Sequence, residues 1–442
     1  MIYCSPACQK KDWKTHKVDC GLYISFCRHP GHRYSRKWIG ETDRIDFNSY
    51  YPFVAAVQFA LRAYKCDHPA LFHRIVNSPN PNSTEHIVDL PNGTSARLLI
   101  LGDKIDETLA SSPTWWPKAQ SPEVRSKLFR RIFAEGRLLP VVYATTLAMV
   151  SQIYTTTAVP ESQPTNQVTG RRRVRLKYRR SPIADIGIAK GPCTRVTAQD
   201  RLAYYKVDTD ELLMGQDLTD HYWIYLTALN GQEIFLDCGM FTFNFTMMTD
   251  ASKYIRYGLP PMTWIPAYFH GKELEQGLPT TTGSSGWKPD KKFSILRSVE
   301  LQNVLRLNVG EYCEHHDFPT LYSVMDKIAG RTCTGLEKEL MLTFLKQSSM
   351  LFCLNLENRE YRNFPAEPNI GFDLDPQETL TSTFEGVRED EACEKYLKKW
   401  SRKLKKGKIT SKQWDSAFNA WGANRKEIIR KMVERGEISK GN

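Results

Sequence analysis

The sequence lacks an apolar run long enough to cross a membrane. Its most apolar stretch, residues 138–154, falls short of the roughly 20 residues that a membrane-spanning helix requires. That stretch also contains Pro140, Ser151 and Gln152. We therefore expect no membrane span and interpret the stretch as a buried helix.

Several motifs of well-known enzyme classes are also missing. The sequence contains no G-x-G-x-x-G, no Walker loop and no H-E-x-x-H, and it has no internal repeat of fixed period. These absences disfavour dinucleotide-dependent enzymes, P-loop nucleotidases and metalloproteases of the zincin type. No basic, then apolar, segment at the N-terminus resembles a secretory signal, and the cysteine count of 11 is odd. We expect an intracellular protein, nuclear or cytoplasmic.

What is present is typical of a folded protein. The chain has 442 residues, of which 41% are hydrophobic and 25% are charged, so two or three compact units are expected. The formal net charge of +12 favours acidic partners, and nucleic acid is one weakly supported choice among them.

Periodicity predicts a mixture of helices and strands. Apolar residues recur at helical spacing over residues 47–63, and Ser121 followed by Pro122 predicts the start of a helical region reaching residue 154, with a turn near Gly136 or Pro140. Residues 86–103 and the segments flanking Asn230-Gly231 predict two hairpins. Further helices are predicted over residues 297–307 and 320–328. The predicted fold class is α+β.

The chain is expected to divide into three parts. These are an N-terminal module at residues 1–27, an α+β body at 45–388 with a loop at 155–170, and a charged helical segment at 389–442. The basic run at residues 171–180 alternates apolar and charged side chains, which favours a strand with a charged outer face over a targeting or nucleic-acid signal. The lysine-rich segment beyond residue 398 fits an ordinary amphipathic helix better than a membrane-surface or partner-binding helix.

Four metal-binding side chains lie close together at the N-terminus: Cys4, Cys8, His16 and Cys20. Thiolate and imidazole ligands in a set of four are the usual donors of a structural zinc site. On an unbroken helix Cys8 and His16 would be roughly 12 Å apart. Either the helix breaks between them or they serve different ions. The alternative without a metal is that the three cysteines are ordinary buried residues and the histidine lies at the surface.

The string YCSPACQKKDWKTHKVDC at residues 3–20 resembles the MYND-type zinc finger. The resemblance implies two interleaved Zn²⁺ ions, with Cys4 and Cys8 serving one ion and His16 and Cys20 the other. It also implies a protein–protein interaction module that binds short, often proline-containing peptides. The zinc would be structural, since a closed four-ligand site leaves no position for water.

The sequence departs from the MYND pattern in one respect, because the front half with its two Cys-x-x-Cys pairs is not present before residue 3. Three explanations stay open: a start placed too late, a weakened module, or one rearranged site using all four ligands. Cys27, His29 and His32 are further candidate ligands.

A second function class rests on the second predicted hairpin. His221 would lie near Asp237 of the next strand, and an upstream cysteine, best Cys193, would complete a Cys-His-Asp nucleophilic system. The spacing weakly resembles transglutaminase-like cysteine enzymes. The alternative is that these are core and edge residues of an ordinary hairpin. His315 and His316, beside Cys313, lack a second ligand pair nearby.

Overall fold

The computed structural model describes residues 43–435, except 65–66, 82, 84–85, 91–92, 107–111, 154–173, 194–199, 256–258, 272–288, 307–314, 376–382, 385–386, 411, 415, 418–419, 422–427, 429 and 433–434. The predicted finger at residues 1–27 and the predicted loop at 155–170 lie outside the described residues.

The described chain contains both helices and several sheets, so the predicted α+β class is confirmed. The helices are α1 (Phe47–Arg62), α2 (Pro122–Phe133), α3 (Leu138–Ile153), α4 (Gln302–Arg306), α5 (Phe318–Ala329), α6 (Gly335–Glu357) and α7 (Glu389–Lys405).

The largest sheet has seven strands. They are β1 (Asp43–Asp46), β5 (Val174–Tyr178), β6 (Ser181–Lys190), β9 (Tyr222–Ala228), β10 (Glu233–Asp237), β13 (Tyr268–Gly271) and β14 (Lys291–Ser294). The strand order is β1-β5-β6-β9-β10-β13, with β14 paired to β6. Only the β1–β5 pair is parallel among these pairings.

Helix α3 lies at the centre of the main core, and every one of its residues is buried. It packs against α6 and α1 and against strands β6 and β9. A helix that is apolar around its whole circumference must be enclosed by other elements, so the predicted buried helix is confirmed.

A second sheet forms its own core. Its strands are β2 (His73–Ile75), β3 (Ile87–Asp89), β4 (Ser95–Lys104), β7 (Leu202–Lys206) and β8 (Glu211–Met214). The fully buried Trp115 and Trp116 lie in this core together with apolar residues of α2. Helix α2 therefore covers the second sheet while α3 belongs to the first.

Two smaller sheets complete the described fold. Strands β11 (Met247–Asp250), β12 (Trp264–Pro266) and β15 (Ile370–Phe372) form one in the order β12-β11-β15. Strands β16 (Thr383–Phe384) and β17 (Val387–Arg388) form the other. Strand β15 is an edge strand, and its Ile370 and Phe372 are exposed.

Local signals in the sequence correctly predicted several of these elements. The Ser121 side chain accepts a hydrogen bond from the Val124 N–H at the start of α2, as expected for an N-cap residue. Gly136, with φ +73°, lies in the turn between α2 and α3. Both predicted hairpins form, β3–β4 and β9–β10. Gly231, with φ +82°, lies in the turn of the second.

The basic run at residues 171–180 contains strand β5, as the alternation predicts. Leu176 and Tyr178 are buried, whereas Lys177 points outward and lies 3.5 Å from Asp46. The predicted helix at residues 320–328 is confirmed by α5, but the one predicted at 297–307 is helical only over α4. The long helix α6 was not predicted.

Among the described residues, no single helix has both the length and the apolar character needed to cross a membrane. Helices α2 and α3 meet that test only as a pair, and they are bent by 71° at the break between them.

Candidate functional site: a buried Cys-His-Asp cluster

The four predicted zinc ligands Cys4, Cys8, His16 and Cys20 lie outside the described residues. Within the described part of the chain, no group of three or more His, Cys, Asp and Glu side chains is placed to hold a metal ion. The second function class, in contrast, rests on residues that the structure describes.

The β9–β10 hairpin brings His221 and Asp237 together. His221 immediately precedes β9, and Asp237 is the last residue of β10. Because the two strands are antiparallel, with Leu236 opposite Ile224, the start of one strand lies beside the end of the other. Nε2 of His221 lies 2.6 Å from Oδ2 of Asp237, and both side chains are buried. The hairpin thus brings the two side chains into direct contact.

The second carboxylate oxygen of Asp237 is fixed by the backbone. Oδ1 accepts hydrogen bonds from the N–H groups of Gly239, at 2.7 Å, and Met240, at 3.2 Å. These N–H groups belong to the start of a short 3₁₀ helix, Met240–Phe243, and N–H groups there need an acceptor from outside the helix. The carboxylate is thereby held in one orientation toward the imidazole.

Gly239 is required by the close approach of the histidine ring. A Cβ at this position would lie 2.8 Å from Cε1 of His221 and 2.9 Å from a methyl group of Leu138. Contacts this short are not tolerated, so only glycine fits here without displacing the ring.

Cys193 reaches His221 through a long-range strand pairing. Strands β6 and β9 are antiparallel, with Lys190 opposite Tyr222. The pairing continues beyond β6, because the Gly191 N–H donates to the His221 carbonyl at 3.2 Å and the Cys193 N–H donates to the Leu218 carbonyl at 3.0 Å. The end of β6 and the start of β9 therefore place the cysteine beside the histidine.

The electrostatics of His221 reflect both neighbours. Burial lowers the pKa of His221. Electrostatic interactions and hydrogen bonding with Asp237 and Cys193 have the opposite and larger effect, so the pKa is raised to about 10. Nε2 is bonded to Asp237, whereas Nδ1 is buried and has no well-aligned hydrogen bond. Nδ1 is therefore the ring nitrogen that is available to exchange a proton with the Cys193 thiol.

A buried arginine, Arg62, adds a positive charge near the Asp237 carboxylate. Burial lowers the pKa of Arg62, and its electrostatic interactions with Cys238 and Asp237 raise it. Arg62 ends helix α1 and donates to the Ala134 carbonyl at 2.8 Å. A cation near Asp237 favours its charged form. Sequence reasoning missed Arg62, since only the packing of α1 brings it near the hairpin.

The surroundings of the cluster are apolar. The His221 ring lies 5.8 Å from the ring of Trp223 and 5.9 Å from that of Phe243. Sγ of Cys193 lies 3.4 Å from Sδ of Met240, and Cys193 is 5% exposed. A sulfur nucleophile, a base and an orienting carboxylate are therefore collected in a dry site, which is the set needed for nucleophilic acyl transfer.

The other histidine candidates do not form a described site. His316 is exposed and lies 3.5 Å from Asp317. Cys313 lies outside the described residues.

Comparison with known proteins identifies one segment of the chain. Residues 1–20 match the model of the MYND finger family. The chain therefore carries a MYND-type finger, in part, at its N-terminus, and this finger implies a zinc-binding protein-interaction module. No curated protein and no solved structure matches the chain.

Proposed function

We propose that this protein acts through its MYND-type finger as a zinc-dependent interaction protein. The observation that carries this proposal is the family match at residues 1–20. In the proposal, Cys4, Cys8, His16 and Cys20 are the zinc ligands. The metal supports a surface for short partner segments, including proline-containing peptides, and the α+β body is the scaffold that carries it.

The zinc in this proposal is structural. A short segment rich in ligands gains most of its folding free energy from the metal, so removing zinc affects that segment first. The body buries apolar cores around α3 and around Trp115 and Trp116, and in this proposal they stay folded when the zinc is removed.

Limited proteolysis tests this proposal. The full-length protein is digested briefly with trypsin, with and without a zinc chelator, and the first cleavage sites are mapped by mass spectrometry. We expect chelation to open Lys10, Lys11, Lys14 and Lys17 to cleavage while the body stays resistant, and readdition of zinc to restore protection. An unchanged N-terminal pattern in a zinc-saturated sample contradicts the proposal.

A second function is favoured by the geometry of Cys193, His221 and Asp237. In this proposal the Cys193 thiolate attacks an acyl carbon and forms a thioester. The His221 imidazolium donates its proton to the leaving group, and Asp237 keeps the ring oriented. Water or an amine then releases the acyl group and restores the thiol. The carrying observation is the 2.6 Å contact between His221 and Asp237 with the cysteine beside the ring.

An activated ester tests the second function without knowledge of the natural substrate. We expect p-nitrophenyl acetate to give a burst of about one nitrophenolate per chain, with an acetyl group on Cys193 detectable by mass spectrometry. The substitution Cys193→Ala should abolish the burst. The matched control Cys353→Ala changes a half-buried cysteine elsewhere that is not in a disulfide and should leave the burst unchanged. Labelling of other cysteines without Cys193 contradicts this function.

A further inference from the structure

A small cavity in the second core is lined by an unusual number of buried cations. Its volume is about 50 Å³, and its lining includes Arg97, Lys127, Arg131, Trp116, Asn244 and Asp375. The three cationic side chains are 3%, 3% and 6% exposed. Charged side chains this deeply buried are rare unless they are paired.

The fold places these cations close together. Lys127 and Arg131 lie one turn apart on α2 and so project from the same face of the helix. Arg97 extends from β4 in the sheet that α2 covers. The positive charge of Arg131 adds to burial in lowering the pKa of Arg97, which shows that the two guanidinium groups lie within electrostatic range of each other.

Carboxylates lie among these cations and beside them. Asp375 lies 3.2 Å from Lys127 and is itself buried. Asp200 acts on both arginines, and Glu135 acts on Arg131. Glu135, however, already accepts hydrogen bonds from Tyr204 and from the Gln216 N–H. Among the residues that the structure describes, three cations and one carboxylate therefore line the cavity, and Asp200 and Glu135 act on the arginines from beside it.

Two guanidinium nitrogens of these cations have no acceptor among the described residues. Nη1 of Arg97 donates to the carbonyls of Asn80, at 2.7 Å, and Ser83, at 3.1 Å. Arg131 uses Nε and Nη2 for the carbonyls of Thr242 and Asp200. These bonds leave Nη2 of Arg97 and Nη1 of Arg131 without an acceptor among the residues that the structure describes.

We propose that this cavity binds a tetrahedral oxyanion, either free phosphate or the phosphoryl group of a monoester. Guanidinium groups are suited to phosphate because their planar donors match its oxygens, and hydrogen bonds between charged groups are the strongest available. The cavity has room for a few water molecules, so a group of this size can be accommodated. Asp375 competes with the ligand for the Lys127 ammonium.

Calorimetric titration of the full-length protein tests the site. Inorganic phosphate is titrated at constant ionic strength, with chloride as the control anion, and O-phosphoserine is titrated in a parallel experiment. Saturable phosphate binding with no response to chloride is expected. Equal affinity for phosphate and O-phosphoserine would show that the site recognises the phosphoryl group alone. Tighter binding of one of them would identify free phosphate or a monoester as the ligand. No binding of either at millimolar concentration overturns the proposal.

Two substitutions with opposite expected effects locate the ligand. Asp375→Asn removes the competing carboxylate and should tighten phosphate binding about tenfold, whereas Lys127→Met should weaken it by about tenfold or more. Lys346→Met removes an exposed lysine of α6 and should change nothing. If these residues were only structural, both cavity variants would have lower melting temperatures, and their phosphate affinities would not change in opposite directions. Phosphate affinity that is the same in all three variants overturns the proposal.

Discussion

Nε2 of His221 and Oδ2 of Asp237 lie 2.6 Å apart where neither side chain reaches solvent. This contact joins the first strand of the hairpin to the 3₁₀ helix after the second, because Oδ1 of the same carboxylate accepts the Gly239 and Met240 N–H groups. Water cannot replace either partner of a buried contact, so loss of one partner leaves an unsatisfied group that destabilises the fold.

Replacing Asp237 with alanine should lower the free energy of unfolding by about 3–5 kcal/mol, because it leaves a buried imidazole and two N–H groups without their acceptor. Urea denaturation of the purified variant measures the effect. The control is Glu300→Ala, which breaks an ion pair with Lys327 whose two side chains are about half exposed. That change should cost under about 1 kcal/mol. Similar losses in both variants would contradict the role assigned to the buried pair.

The stability of the protein should depend on pH through His221. Its pKa is raised from 6.5 to about 10, by Asp237 and Cys193 against the effect of burial. A raised pKa in the folded state contributes stability that is complete below about pH 6.5 and is lost as the pH rises through about 10. Urea denaturation at several pH values should show this decline in the wild type and a flatter profile in His221→Gln. Parallel profiles for the two proteins would contradict the raised pKa.

Substitution of Gly239 with alanine should destabilise the protein by about 1–3 kcal/mol, because the added methyl group meets the His221 ring and Leu138. Gly335→Ala is the matched control. A Cβ at Gly335, in the first turn of α6, would meet nothing within 4 Å, and the change should stabilise the protein by up to about 1 kcal/mol. Thermal unfolding distinguishes the two, and a neutral Gly239→Ala would contradict the close approach of the ring.

Truncation of Leu147 to alanine should cost about 2–5 kcal/mol, because this side chain is fully buried in the middle of α3 and its removal leaves a cavity between α3 and its neighbours. Met350→Ala, at a position on α6 that is 54% exposed, should change stability by less than about 0.5 kcal/mol. Denaturant unfolding of both variants measures the contrast. A loss below 1 kcal/mol at Leu147 would show that α3 is not the centre of the core.

Elements with a local signal could be predicted from the sequence. Ser121-Pro122 marks the start of α2, and Asn230-Gly231 marks the hairpin turn, because each depends on backbone geometry that its own residues favour. Helix α6 was missed although Thr334 and Glu337 form a capping box at its start. Its apolar residues do not form one narrow stripe, since it packs against several elements, so periodicity gave a weak signal.

The candidate site was predictable in its residue types and less so in its assembly. His221 and Asp237 lie on one hairpin, so the turn alone brings them together. The position of Cys193 depends on the pairing of β6 with β9, and that of Arg62 on the packing of α1. Both are long-range contacts that no local pattern encodes. The cations Arg97 and Lys127 likewise show their burial only in the fold.

Elemental analysis of zinc in the purified protein tests the central claim most directly. The protein is kept reduced and never exposed to a chelator, and zinc per chain is measured for the wild type, for Cys4→Ser with Cys8→Ser, and for the control Cys353→Ser. We expect close to one zinc or more per chain in the wild type and the control, and a clear loss in the double variant. Absence of zinc from the wild type, or equal zinc in all three proteins, would contradict the claim that the N-terminal cysteines bind the metal.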